Sequence, residues 1–452
     1  MMARRPSWHI VGAVLGASVL GSANAGAQPM TAPQIAPPHA PPTQTTSPAQ
    51  EQPEPKPNQE KLDVERYELA GFPIVGGNSD IGFQFGGAAT WTRFHNDARP
   101  YFWNIDLLLS ASTKSDASGN LGLIQQSHVL RLDAPDLLNH KLRLDTRGSF
   151  QRTINEGYYG IGNAAPAYAV NPSQNNALRL NQYLQEEGRV RVISRIHTGS
   201  PLDIAIGANL RAESPSVYAG SKLATDAATR NPDGSAVAVG AQGGGLAGLA
   251  GGIMVDTRDS EFITRQGFFY QVGVGATVGS AEGIAYGQAS AIAEHFAPLG
   301  GPVIFANRLI TDFEFGRVPF YDLQQGGVFE PQYLLGSETG IRGVPQGRYA
   351  GEIKVVSNTE IRIPLPRFRL FKQRFRFGIT TFFDAGRVWA GYSTNAARDG
   401  TTLGLKYGVG GGGFLQWGEA AIFRVEAAYS PDAESENPGF PIGIYVSDGL
   451  MF

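Results

Sequence analysis

From Glu352 to Ile363 the chain alternates. Glu352, Lys354, Asn358, Glu360 and Arg362 fall on one parity, and Ile353, Val355, Ile361 and Ile363 on the other. From Phe375 to Ala385 the pattern repeats, with Arg376, Thr380 and Asp384 opposite Phe375, Phe377, Ile379 and Phe383. A period of two predicts strands with one apolar and one wet face. Further upstream, Leu142, Leu144 and Phe150 oppose Arg143, Asp145, Arg147 and Gln151, while Val190, Val192 and Ile196 oppose Arg189, Arg191 and Arg195. Followed along the chain, the pattern predicts about sixteen strands. They start near Tyr67, Ile81, Tyr101, Leu121, Lys141, Tyr183, Leu202, Leu246, Gly267, Tyr286, Val303, Gly351, Arg374, Leu403, Ala420 and Ile442, and the last runs to Phe452.

The strands are too many, and too apolar on one face, for a small soluble sandwich. In lipid only a closed barrel satisfies strand backbones. A charge at the midplane on the lipid side costs a few kcal/mol, so the charged parity faces the lumen. The connections agree with this, because barrels of this class carry short turns at one end and long loops at the other. His95–Pro100, Ala134–Asn139, Thr198–Pro201 and Gln416–Glu419 are short; Asn155–Arg179, Ser214–Gln242, Gly316–Ala350 and Ser430–Gly439 are long. The expected fold is all-β, a transmembrane antiparallel barrel in the outer membrane of a Gram-negative cell. Outer-membrane lipid is its first partner.

The start of the chain reads differently. Arg4 and Arg5 precede an apolar run from Ile10 to Leu20, and Ala23-Asn24-Ala25 offers a cleavage site. That run falls short of the roughly twenty residues a spanning helix needs, so residues 1–25 are expected to be a signal peptide. Cleavage after Ala27 is the alternative. Residues 26–62 are rich in proline, threonine and glutamine and read as a disordered tether; residues 63–452 form the barrel. There is no cysteine, which excludes lipid attachment, disulfides and thiolate metal sites. A net charge of −3 gives no reason to expect nucleic acid.

Candidate chemistry concentrates after the eleventh strand. A glycine-rich stretch, Leu335 to Val344, carries Arg342 beside Gly343, and Glu360 and Asp384 follow on polar strand faces. We expect this loop to fold back into the lumen so that Arg342 pairs with both acids, as a structural ion-pair network or as a latch that moves. The strands that must close the barrel contain Gly71, Pro73, Gly76 and Gly77 at one end and Pro441, Gly443 and Gly449 at the other. Proline removes a ladder donor and glycine weakens a strand, so the seam is expected to be poorly bonded; irregular terminal strands are the plainer reading. The glycine runs at Gly240–Gly252 and Gly408–Gly413 lack a phosphate-loop ending and are expected to let the wall bend. The histidines show no metal-ligand spacing, and no Gly-x-Ser-x-Gly elbow is present. No enzyme, metal or cofactor is expected.

Ile341-Arg342-Gly343, then Asn358-Thr-Glu360-Ile-Arg-Ile-Pro-Leu, then Phe382-Phe-Asp384-Ala-Gly386-Arg-Val-Trp, resemble the BamA/TamA surface-antigen superfamily of outer-membrane barrels. The resemblance implies a loop tip tucked into the lumen, with its arginine on acids of the next two strands. Val344 departs from it, standing where the family usually has an aromatic. Asp256-Thr-Arg258-Asp259 resembles a strand-end motif of the same family and reads mainly as turn chemistry, with client contact as the other reading. The ending at Leu450 and Phe452, on the parity of Ile444 and Val446, is similar to the signal that barrel assembly machinery reads during biogenesis. The family usually carries folded periplasmic POTRA modules ahead of the barrel, and the tether is too short for one. The implied role is insertion, assembly or translocation of outer-membrane or secreted proteins, with unfolded clients and a periplasmic partner that supplies the receiving modules. The alternative is a passive pore or structural protein with the loop as plug.

Overall fold

The computed structural model describes residues 65–78, 82–95, 101–115, 121–166, 180–199, 201–260, 263–370, 373–417, 421–435, 441–448 and 450–452. The expected signal peptide and tether lie outside the described residues. The strands expected from alternation form where it places them. They are β1 (Arg66–Asn78), β2 (Gly82–Phe94), β3 (Trp103–Ser115), β4 (Leu121–Leu137), β5 (Leu142–Gly157) and β6 (Gln182–His197). Then come β7 (Leu202–Glu213), β8 (Gly244–Asp256), β9 (Gly267–Gly279), β10 (Ala285–Gly300) and β11 (Val303–Arg317). The last are β12 (Ile353–Pro364), β13 (Gln373–Trp389), β14 (Lys406–Trp417), β15 (Ala421–Tyr429) and β16 (Ile442–Asp448). Each strand pairs antiparallel with its neighbour in sequence, and β1 also pairs with β16, so the sheet closes on itself. Closure removes the free edges that an open sheet would present.

The two parities separate as lipid requires. Along β11, Ile304, Arg308, Asp312 and Glu314 are buried, while Leu309, Phe313 and Phe315 are exposed. Leu249, Val274 and Val278 of β8 and β9, and Phe377 and Phe383 of β13, continue the apolar exterior. An apolar surface of this extent is incompatible with water as the surrounding medium, and it is the face an outer-membrane barrel turns to lipid. The described helices include none long and apolar enough to cross a membrane.

At the end with the long connections, loops fold over the mouth. A short helix, α1 (Lys222–Ala228), is capped by Ser221, whose hydroxyl accepts from Ala224 N at 3.1 Å. Its Leu223 packs with Tyr158, Tyr183, Phe320 and Tyr321 into one buried cluster.

One strand departs from expectation. The last was expected to run from Ile442 to Phe452, but β16 stops at Asp448. Leu450 leaves the lipid parity and packs against Ile263, Ile304, Phe414 and Ile422. Phe452 lies over two buried guanidiniums, with its ring centroid 5.1 Å from Arg308 Cζ and 4.7 Å from Arg362 Cζ. Cation–π contact and burial draw the segment inward, where alternation alone would have kept it on the wall.

Candidate functional site

The connection from β11 to β12, residues 318–352, lies against the inner face of the sheet. Gln325–Gly326 pairs with Gln332–Tyr333 in a short ladder, and beyond it the chain turns tightly. Ile341 N donates to Leu334 O at 3.0 Å, and Ser337 N to Val344 O at 3.0 Å. Leu334, Leu335, Ile341 and Val344 pack on Ile292, Ile310, Val356 and Val388 of the wall. Val344 therefore fills its place as a buried aliphatic.

Arg342 is fully buried at the end of this turn. Its Nε donates to Asp384 Oδ2 at 2.8 Å and its Nη2 to Asp384 Oδ1 at 3.0 Å, a two-pronged contact that suits a planar guanidinium. Nη1 reaches Glu360 Oε1 at 2.7 Å and Glu426 Oε2 at 3.1 Å. The main-chain N of Arg342 adds a bond to Asp384 Oδ2 at 3.1 Å. The Phe382 ring lies 3.4 Å from the guanidinium carbon. Burial works against the Arg342 charge, but Asp384 first and then Glu360 outweigh it and hold the group well above its ordinary range. The acids are shared: Arg362 Nε donates to Glu360 Oε2 at 2.7 Å, and Arg424 Nη1 lies 3.6 Å from Glu426.

The wall is shaped to admit this turn. A Cβ on Gly408 of β14 would overlap the Arg342 carbonyl oxygen. In the glycine run expected to let the wall bend, Gly408 leaves room for the arginine turn, while Gly410 and Gly412 stand close to the β15 backbone. Gly343 has φ +91°, a left-handed conformation that favours glycine. Its N donates to Tyr445 Oη of β16 at 2.8 Å.

The same connection is tied to the opposite wall. Arg211 of β7 clamps Asp322 through two bonds of 2.7 and 2.6 Å, and Tyr286 Oη donates to Asp322 at 2.6 Å. Burial alone would raise the Asp322 carboxyl, but the Arg211 guanidinium holds it below the usual range. Gln324 donates to Gly157 O at 2.7 Å. The connection thus bridges the lumen from β7 to β13 and β15.

The seam is sparse by contrast. Among the described residues β1 and β16 share two residue pairs, Gly77 with Val446 and Asn78 with Tyr445. β1 pairs with β2 along its whole length, from Arg66 opposite Phe94 to Asn78 opposite Gly82. Pro73 and Gly76 take part in that β2 ladder, opposite Gly87 and Gln84. Pro441 precedes β16, its carbonyl accepting from Ser430 N at 3.3 Å, and Gly443 pairs with Ala428 of β15. Of the residues singled out from sequence, Gly77 makes a seam pair, while Pro73, Gly76 and Gly443 lie in the ladders to β2 and β15.

Asp256 ends β8, and its carboxylate accepts from Arg258 Nε at 3.0 Å and Nη2 at 2.9 Å. Asp259 accepts from Arg265 N at 2.9 Å, which is turn chemistry. Arg258 instead reaches inward, its Nη1 3.4 Å from Glu294. Glu426, Tyr445, Phe382 and Asp322 were not among the residues expected from sequence. Glu426 carried a legible signal, since Arg424 and Glu426 alternate with Phe423 and Val425.

Comparison with known proteins adds a family and a fold. The Omp85 superfamily domain matches residues 113–443. A BamA structure from Haemophilus ducreyi lacking POTRA domains 1–3 superposes with a TM-score of 0.50 at 15% identity, covering 85% of this chain and 70% of that one. CdiB from Escherichia coli gives 0.50 at 13% identity, covering 84% of this chain and 62% of its own. No curated protein matches the chain in sequence.

Proposed function

The chain belongs to the Omp85 superfamily, and from that membership we propose that it inserts or translocates unfolded outer-membrane or secreted proteins, releasing them through the seam between β1 and β16. It is an integral outer-membrane barrel, and its family is one of non-enzymatic barrels. The observation that carries the proposal is the seam: among the described residues two pairs hold β16 to β1, while the turn bearing Arg342 bonds to Tyr445 in that same strand. A ladder so short opens at little cost. The bond to Tyr445 makes the arginine turn a latch on the strand that must move. Clients reach the barrel from the periplasmic side, and a periplasmic partner that hands them over is part of the proposal.

The test uses the full chain in liposomes with an unfolded barrel client whose folding is followed by fluorescence. The protein accelerates client folding. In Gly77→Cys with Val446→Cys, oxidation abolishes the acceleration and reductant restores it. Acceleration that survives oxidation overturns the seam route. No acceleration by a normally folded barrel overturns unaided insertion and favours a passive pore plugged by the connection.

A further inference from the structure

Past Pro364 the wall does not end. Phe368–Leu370 pair with Gln373, Arg374 and Phe375 of β13, so the connection from β12 to β13 runs on as a two-stranded ribbon. It lies at the end with the short connections, which in barrels of this class faces the periplasm. The ladder from β12 to β11 stops at Arg362 opposite Ile304, and the ladder from β13 to β14 at Phe375 opposite Trp417. Among the described residues the ribbon therefore extends beyond both neighbouring ladders.

One face of the ribbon continues the lipid-facing parity. Phe368 stacks on Phe375 and Phe377, with ring centroids 5.8 and 5.3 Å apart, and Phe375 stacks on Trp417 at 5.7 Å. Leu365, Phe368, Leu370, Phe377 and Trp417 are all exposed. Left in water, an apolar face of this kind is costly. Aromatic rings in such a girdle mark the level where acyl chains give way to headgroups.

The opposite face is basic. Arg369 and Arg374 stand directly across from each other on the two strands, and both are exposed. Like charges so placed are destabilising. Neither makes an ion pair or a side-chain hydrogen bond among the described residues. Arg367 and Arg376 flank them in sequence, and no aspartate or glutamate occurs between Glu360 and Asp384. Glu419, in the connection after β14, lies outside the described residues. The ribbon thus keeps a pair of cations that no described residue neutralises.

We propose that this ribbon, residues 365–370 with 373–377, binds anionic phospholipid of the inner leaflet. Its aromatic face sits at the boundary of headgroups and acyl chains, and Arg369 and Arg374 take the lipid phosphates. The same division of faces lets a basic amphipathic helix lie in a membrane surface, with long side chains bending back to the headgroups. An acidic protein would satisfy the arginines but leave the rings in water, so the rings decide for lipid. β12 and β13 also carry Glu360 and Asp384, and lipid held here steadies the periplasmic ends of two strands that anchor Arg342. The proposal goes beyond the insertion reading and does not rest on it.

The experiment uses the full chain with every tryptophan except Trp417 replaced by phenylalanine, its folding checked by heat-modifiable migration. It is reconstituted at low ionic strength in phosphatidylcholine vesicles. These contain acyl-brominated phosphatidylglycerol or, at the same mole fraction, acyl-brominated phosphatidylcholine, and quenching of Trp417 is read. Brominated phosphatidylglycerol quenches about threefold more strongly, and added salt removes the difference. Arg369→Gln with Arg374→Gln abolishes the excess, while Arg369→Lys with Arg374→Lys keeps most of it. Both pairs fall on exposed side chains, so the barrel folds in each. Equal quenching by the two lipids overturns the proposal and leaves the arginine face to an acidic protein. An excess that survives the glutamine pair overturns it as well, because the lipid charge is then read elsewhere. Neither outcome touches the insertion reading, which client folding decides.

Discussion

The arginine turn and the seam lie in contact and are built on opposite terms. At the turn, one guanidinium makes bonds to three carboxylates on β12, β13 and β15, stacks on Phe382, and is wholly buried. At the seam, two residue pairs among the described residues join β1 to β16, whereas β1 pairs with β2 along its whole length. Among the described residues the β1–β16 ladder is short. The Gly343–Tyr445 bond offers another restraint, because it fastens β16 to a turn that is itself fastened to three strands. The difference teaches that β16 has a restraint from inside the barrel, a hydrogen bond to a turn held by a buried side-chain network, besides its ladder to β1.

The largest effect should come from Arg342→Ala. Removing one partner of a buried charge network costs about 3–5 kcal/mol, and here it takes the guanidinium from Asp384 while Glu360 keeps Arg362 and Glu426 keeps Arg424. Thermal unfolding of the purified barrel, followed by heat-modifiable migration, should shift down accordingly. Arg342→Lys should recover only part of the loss, since an ammonium cannot reproduce the two-pronged contact with Asp384. A variant as stable as the native chain would break the comparison at its stronger side.

Gly408→Ala should come next. The added methyl overlaps the Arg342 carbonyl oxygen, which is backbone and cannot swing aside. Overpacking of this kind costs about 1–3 kcal/mol. Gly413→Ala, on the other parity of β14 with its nearest neighbour, Gly378 O, at 3.4 Å, is the control and should cost less. Equal losses at both positions would mean that the glycines serve wall curvature alone, as the sequence first suggested.

How much of this could be read beforehand follows from the period of two. Alternation forces Glu360 and Asp384 to one face once the strands are placed, and a nearby glycine-flanked arginine then has partners. Glu426 obeys the same parity, but its meeting with Arg342, 84 positions earlier, is set by how the connection folds back into the lumen. Alternation says which face a residue takes and nothing about which neighbour it meets. Phe452 escaped for a different reason. Its parity matched the wall, yet the strand ends before it, and the attraction of Arg308 and Arg362 depends on residues 144 and 90 positions away. Val344 shows the limit of resemblance: the position is buried as the family pattern implies, but an aliphatic cluster fills it.

The smallest effect is also the sharpest. Tyr445→Phe deletes one hydroxyl and leaves the Gly343 N without its acceptor, at a cost of about 1 kcal/mol. Global unfolding should barely move. Amide exchange over residues 442–448 should rise by a few-fold, because the two seam pairs then stand alone, while exchange over β12 and β13 should stay as it was. In the Arg342→Ala background the turn has already lost its anchorage, so the same hydroxyl deletion should add nothing to seam exchange. That non-additivity is the signature of two contacts acting as one restraint. Additive effects would show that turn and seam are merely neighbours, and the latch would then have to be sought at the other anchorage, where Arg211 holds Asp322.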